Sequence, residues 1–298
     1  MSVLKDVERD VLNLLGDSPG RVDFENVTRA YREASKVAAR ETVAAAERVA
    51  EHEVAWQVSS MRSAMPIEVS FTSPSLNIIR AVAREPVRGD LIDDWFDGLA
   101  INASNRIRRE VRVGLIAGES VPDVVRRLRG TRTEPGMLSV TRRETEAIVR
   151  TTMNQATTRA RELTYAENDD VVDSVKIVAT LDARTSLICM GYDGREFPIN
   201  DGPRPPFHFN CRTTTVPIIK SWQEMGLKDP TVGTRAALDG EAPADETYPA
   251  WLKRQPESVQ NMALGPARAA LFRTGNVRID QFVRDGRSLT LTQLSSLE

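Results

Sequence analysis

The sequence predicts an α+β protein, predominantly helical, with a small antiparallel β-sheet module in its second half. Three observations predict it. Apolar residues recur every three or four positions over long stretches, the helical period. From Ser174 to Thr180 the period shortens to alternation, with Val175, Ile177 and Ala179 set against Lys176, Val178 and Thr180, the pattern of a strand. Between Leu181 and Pro217, Asp193-Gly194, Asp201-Gly202 and Pro205-Pro206 cut the chain into short pieces that no long helix tolerates.

Val3, Val7, Val11 and Leu14 form a helical stripe that Gly16, Pro19 and Gly20 end. A longer stripe runs from Phe24 to about Met65 through Val27, Tyr31, Ala34, Ala38, Thr42, Ala45, Val49, His52 and Trp56, narrow enough to resemble a coiled-coil seam. His52 on that stripe reads as a packed or snorkelling side chain. Pro66 stops the helix, and Ile67 to Pro74 reads as an extended connector or short edge strand. Helices follow over Leu76–Ala83 and Leu91–Gly114. Ser120, Pro122 and Asp123 carry the signs of a helix start, and Gly130 those of its C-cap. Thr141 and Glu144 have capping-box spacing and open a helix to about Asn168. On it Arg150, Asn154, Thr158 and Arg161 share a face, either solvated or bonded to the loops that follow. Arg195–Ile199 and Arg212–Pro217 are the second and third strands. Ser221 to Glu224 caps a short helix, Gly226–Glu246 is a polar and mobile loop, and helices over Tyr248–Gln255, Ser258–Leu264 and Pro266–Arg273 alternate with Pro and Gly stops. Val277–Val283 and Leu289–Leu294 complete the chain. The expected divisions are 1–65, 66–140, 141–220 and 221–298.

The chain has 298 residues, a hydrophobic fraction of 41% and a charged fraction of 28%, the balance of an ordered, soluble protein. Its formal net charge of −2 excludes global electrostatic attraction to nucleic acid. Locally, Arg106 to Arg150 holds eleven arginines against six acids. Arg126, Arg127 and Arg129 are therefore candidates for sequence-independent phosphate contact. No apolar run approaches the ~20 residues that span a bilayer, the N-terminus lacks a signal pattern, and two cysteines do not make a secreted disulfide scaffold, so a cytoplasmic address is expected.

The chemistry-bearing residues crowd into Leu181–Pro217, which holds both cysteines, Cys189 and Cys211, and one of the two histidines, His208. His208 and Cys211 stand in H-x-x-C spacing, so with Cys189 they offer three soft donors to zinc. Ser186 and Thr213 occupy the neighbouring places where further thiols would complete four, and Asp182 or water would have to fill the gap. A disulfide between Cys189 and Cys211 would close a loop worth roughly 3 kcal/mol in chain-entropy terms, in an oxidising setting. A Cys189 nucleophile with His208 as base and Asp182 as orienter is a third possibility. The fourth is two buried thiols beside a histidine bonded to backbone.

Arg150-Thr151 with Asn154, then Leu181-Asp182-x-Arg184-Thr185, Cys189, Asp193-Gly194, Phe197, Pro205-Pro206-x-His208-x-Asn210-Cys211-Arg212 and Pro217 resemble the phage Mu F-like minor head protein (head morphogenesis) family. The resemblance is close from about Thr141 to Pro217 and looser through Gly118–Ser120 and the Tyr248–Leu294 tail. Many relatives have C-x-x-C and H-x-x-C-x-C here; this chain has Ser186 and Thr213 in two of those places. The resemblance implies a non-enzymatic virion component, made in the host cytoplasm and held in the head interior or at the portal vertex. Its implied partners are the portal protein, the major capsid or scaffold protein, and packaged double-stranded DNA. In that setting Arg150, Asn154, Asp182, Arg184, Thr185, Cys189, Asp193, Gly194, His208, Cys211 and Arg212 form a structural knot rather than a catalytic site.

Overall fold

The computed structural model describes residues 2–17, 23–220, 233–275, 277–284 and 287–295. Eleven helices and seven short strands follow in the order α1 (Ser2–Asp17), α2 (Phe24–Ala64), α3 (Leu76–Ala81), α4 (Ile92–Ile116), α5 (Val121–Arg129), α6 (Leu138–Ala166), β1 (Val172–Val178), α7 (Leu187–Tyr192), β2 (Glu196–Pro198), β3 (Thr214–Ile219), β4 (Thr234–Ala237), β5 (Gly240–Pro243), α8 (Tyr248–Lys253), α9 (Glu257–Leu264), α10 (Pro266–Thr274), β6 (Val283–Arg284), β7 (Arg287–Ser288) and α11 (Leu291–Ser295), among the described residues. The chain is thus α+β and mostly helical, as its periodicity predicts. No helix among the described residues is long and apolar enough to cross a membrane.

Two compact units divide the chain, one from residues 1–51 and 77–156, the other from 52–76 and 157–298. In the first, α5 packs on α4 and α1. Tyr31, Phe96, Ile107, Val111 and Leu128 fill the unit's core. Ser120 caps α5 by accepting from the Asp123 backbone N–H at 3.4 Å, with Pro122 in the first turn, as expected. Gly130 ends the helix at φ 84° and lies so close to Gly136 that a Cβ would meet the Gly136 nitrogen at 2.1 Å, which leaves room only for glycine.

The capping role expected of Thr141 and Glu144 is not what the structure shows. α6 begins three residues earlier, at Leu138, and Thr141 is buried inside it. Thr141 and Glu144 instead receive the Arg106 guanidinium, Glu144 at 2.5 Å, so their spacing serves a side-chain pair and not a helix start. The stripe on α2 also departs from expectation beyond Thr42. The buried positions step by four, through Ala46, Ala50, Val54 and Val58, and leave Trp56 53% exposed and His52 exposed. Each four-residue step turns the covered face by about 40° on a 3.6-residue helix. The covered face there includes Glu53 and Gln57, which apolar periodicity cannot register.

In the second unit β1 is the centre of an antiparallel sheet in the order β2-β1-β3. Val175 lies opposite Phe197 on one side and Pro217 on the other. The inward face of β1 packs Val172 and Val175 on Met61 and Tyr165, with Phe71 and Phe197 against them. A polar lattice continues this core. The Tyr165 hydroxyl donates to Gln57 at 3.0 Å, Gln57 donates to Glu53 at 2.7 Å, and Arg161 joins Glu53 at 2.6 Å and the Thr214 hydroxyl on β3. Of the predicted polar row, Arg161 reaches the following segment. The 67–74 stretch forms a connector without strand pairing. Its Thr72 exchanges hydrogen bonds with the Asn168 side chain at 2.7 and 2.8 Å.

The C-terminal tail builds the unit's other core. Tyr248, Trp251, Leu252, Leu264, Phe282 and Leu294 close over Leu181 and Met190 of the central segment. The polar loop expected over 226–246 is in its described part, from 233 on, a β4–β5 hairpin. The short helix expected after Ser221 lies outside the described residues.

Candidate functional site

The segment after β1 turns at Leu181, runs through the single-turn-and-a-half α7, and returns through β2 and a proline-rich loop to β3. Ser186 caps α7 by accepting from the Cys189 backbone N–H at 3.3 Å, and so aims Cys189 along the first turn. His208 to Cys211 forms a tight turn, closed by the Cys211 N–H on the His208 carbonyl at 3.2 Å. Asn210 takes φ 58° in it, a left-handed conformation that asparagine tolerates and most residues do not. That turn brings His208 and Cys211 to the same side, facing Cys189.

The three groups converge. Cys189 Sγ lies 3.2 Å from His208 Nε2 and 3.7 Å from Cys211 Sγ, and the donor atoms of all three fall within 4.8 Å of one another. Ser186 Oγ is 2.8 Å from His208 Nε2. His208 Nδ1 lies 2.8 Å from the Phe209 carbonyl oxygen, which can only accept, so Nδ1 carries the ring proton and Nε2 presents its lone pair to the sulfurs. Both cysteines are buried thiols packed with Ala179 and Phe207. The Cys211 thiol is lowered, first by the hydrogen bond from Cys189, while Cys189 is raised by that same bond and then by burial. One thiolate is favoured in this pair and the second resisted.

Two carboxylates brace the cluster. Asp182 holds Arg212 in a two-pronged pair at 2.6 and 2.7 Å, next to Cys211 in sequence, and accepts from the Arg184 backbone N–H at 2.9 Å and from the Thr185 hydroxyl at 3.3 Å. The Arg184 side chain, 82% exposed, pairs with Asp182 at 3.6 Å, while the Arg184 backbone N–H makes the closer bond to the knot at 2.9 Å. Asp193, whose side chain is fully buried, accepts from the Ala179 N–H and the Tyr248 N–H, both at 2.6 Å, and pairs with Arg235 at 3.0 Å. Arg235 also donates to the Ala179 and Glu246 carbonyls. Gly194 follows at φ 79°, with Thr247 so near that a Cβ would approach its Cγ2 to 2.8 Å. Tyr248 closes the set by donating to the Asp182 carbonyl at 2.8 Å.

Eight of the predicted knot residues therefore meet: Asp182, Thr185, Cys189, Asp193, Gly194, His208, Cys211 and Arg212, joined by the backbone of Arg184. Arg150 is placed differently, 68% exposed on α6 with Glu146 one turn before it as its ion-pair partner. Asn154, one turn on, is half-buried. The relay that a Cys189 nucleophile would need is not assembled. Asp182 spends both oxygens on Arg212, Arg184 and Thr185, and the orienting bond of His208 goes to a backbone carbonyl. Sequence reading missed Arg235, Tyr248 and α7. Arg235 stands in a polar stretch with no periodic signal, and a six-residue helix flanked by turn residues leaves too short a pattern to see.

Of the predicted phosphate contacts, Arg126 pairs with Asp123, and Arg127 bridges Glu110 at 3.0 Å and Glu119 at 2.7 Å. Arg129 is exposed at the end of α5.

Asp182 predicts a pH dependence. Its carboxyl is lowered from 3.8 to about 2, first by the Arg212 hydrogen bonds. A carboxyl depressed on folding stabilises the protein above its unfolded value and loses that contribution as pH falls through the folded one. The contribution is at most about 2 kcal/mol, reduced by solvent at half-exposed Arg212. Equilibrium unfolding between pH 5 and 2 checks it: Asp182→Asn flattens the acid slope of the stability curve, and an unchanged slope contradicts the pairing.

Residues 105–216 match the family model for Phage Mu protein F like protein, a family of phage structural proteins; the match begins within α4 and ends in β3. No curated protein and no solved structure matches the chain. The matched residues cover less than half of the chain, and they include Asp182, Cys189, Asp193, His208, Cys211 and Arg212. Residues 105–216 are thus a Phage Mu F-like region within this chain.

Proposed function

We propose that the chain is a minor head protein of a tailed phage or prophage, a non-enzymatic component of the virion that acts in head assembly beside the portal and the major capsid or scaffold protein. The observation that carries this is the family match over 105–216, together with how the polar residues of that region are used. Asp182, Asp193, Arg212 and Arg235 are consumed in bonds to backbone and to one another. A catalytic site keeps such groups free for substrate; a rigid assembly module spends them on holding loops.

Contact with packaged double-stranded DNA belongs to the same proposal. In it exposed Arg129 would contribute more than Arg127, whose charge Glu110 and Glu119 already balance. The test is made on particles. Mass spectrometry of purified virions should find the chain in the head fraction, and particles assembled without it should have altered composition or lowered infectivity. Virions that lack the chain when wild type, or that are unchanged by its deletion, would overturn the proposal.

A further inference from the structure

The Cys189, His208 and Cys211 cluster carries an inference that goes beyond the head-protein reading. Its three donor atoms lie close enough together to hold one metal ion. Zinc bonds to thiolate at about 2.3 Å and to imidazole at about 2.0 Å. In a tetrahedron those lengths set donors about 3.8 Å apart for two sulfurs and about 3.5 Å for sulfur and nitrogen. Here the sulfurs are 3.7 Å apart, and Cys189 Sγ and His208 Nε2 are 3.2 Å apart. Two of the three spacings are thus close to those of one coordination shell, and all three donor atoms lie within 4.8 Å of one another.

A second observation points the same way. A histidine that binds metal through one ring nitrogen holds its orientation by donating the other N–H to a carbonyl or carboxylate. His208 does so through Nδ1 to the Phe209 carbonyl, which leaves Nε2 aimed at the sulfurs. The donor class is soft, two thiols and an imidazole, and hard cations such as magnesium or calcium do not select it. The fourth corner has an oxygen nearby. Ser186 Oγ, 2.8 Å from Nε2, stands at the edge of the same shell, while its capping bond to the Cys189 N–H fixes it there.

We propose that Cys189, His208 and Cys211 bind one zinc ion, with the fourth place taken by the Ser186 hydroxyl or a water that it holds. Binding displaces the thiol protons and ties α7 to the His208–Cys211 turn. The role is structural: the ion would fasten α7 to the His208–Cys211 turn, beside the apolar packing of Ala179, Phe207 and Tyr192.

The full-length chain, purified in reducing buffer, is dialysed against zinc and then freed of loose metal. Elemental analysis is expected to give one zinc per chain. Cobalt titrated in its place should produce thiolate-to-cobalt charge-transfer absorption of two-sulfur intensity. His208→Ala should weaken cobalt binding by more than about 100-fold, beyond the cost of losing an outer partner. Ser186→Cys, which supplies a third thiolate, should tighten it. Cobalt titration of the wild type decides the matter even if a cysteine variant fails to fold. Wild-type protein that retains no zinc and shows no charge-transfer band, or a Cys211→Ser variant that keeps both, would overturn the proposal. Thiol titration on protein from virions separates the remaining states, since a Cys189–Cys211 disulfide leaves no thiols and no metal and also counts against it. None of these results bears on whether the chain is found in the head, so this proposal and the head-protein reading fail separately.

Discussion

Replacing Asp193 by alanine is expected to remove about 3–5 kcal/mol of stability, the cost of breaking a buried pair and leaving one charge uncompensated. Arg235 is only 11% exposed, and among the described residues its partners besides Asp193 are the Ala179 and Glu246 carbonyls, so it would remain charged and buried. The Ala179 and Tyr248 N–H groups lose their acceptor in the same substitution. Against a typical domain stability of about 5–15 kcal/mol, that loss threatens folding of the unit as a whole. Chemical denaturation followed by tryptophan fluorescence measures it. Arg235→Met, which removes the charge together with its need for a partner, should cost less than Asp193→Ala. The reverse order would mean that the pair does not hold the knot.

Trp251→Ala is the second large effect, expected at about 3–5 kcal/mol for emptying a fully buried aromatic site. Trp251 packs on Tyr248 with ring centroids 5.2 Å apart and donates its indole N–H to Asp239 at 2.9 Å. Asp239 is also held by Arg254 and by Gln255 at 3.0 Å, so the carboxylate keeps partners when the indole is gone. The loss is therefore chiefly one of packing, and Trp251→Phe should recover most of it. Thermal unfolding of the two variants reads the difference. Equal loss in both would place the energy in the Asp239 bond instead.

Much of the fold was legible because it is local. The helices over 24–64 and 92–116 announce themselves by helical spacing, and β1 by its alternation. The N-cap at Ser120 and the turn at Asp193-Gly194 rest on residue chemistry that acts within a few positions. What stayed hidden depends on distant partners. Nothing near Glu53 or Gln57 tells that Arg161 and Tyr165 will bury them, and so the expected stripe kept Trp56 and His52 where the structure buries their polar neighbours. Thr141 and Glu144 have the spacing of a cap, and only the approach of Arg106 gives them a different task. In the central segment residue types alone gathered Asp182, Cys189, His208 and Cys211, but four chemistries stayed open because spacing does not give orientation. The two bonds that separate them, Asp182 to Arg212 and His208 to the Phe209 carbonyl, exist only in three dimensions.

The tail is the larger surprise. The matched region ends at residue 216, yet Leu181 and Met190 within it are buried by Tyr248, Trp251, Leu252 and Phe282 beyond it. Asp193 likewise finds its partners at Arg235 and Tyr248. A short apolar residue in a turn-rich stretch gives no sign of which later helix will cover it, so the central segment looked self-contained and is not.

Amide hydrogen exchange on the full chain and on a chain ended at Lys220 tests most directly whether this segment is architecture closed by the tail. The account predicts that β1 and α7 are protected in the full chain, and that the shorter one loses protection across both, including the Ala179 N–H that Asp193 holds. Full protection of residues 172–219 without the tail would contradict it.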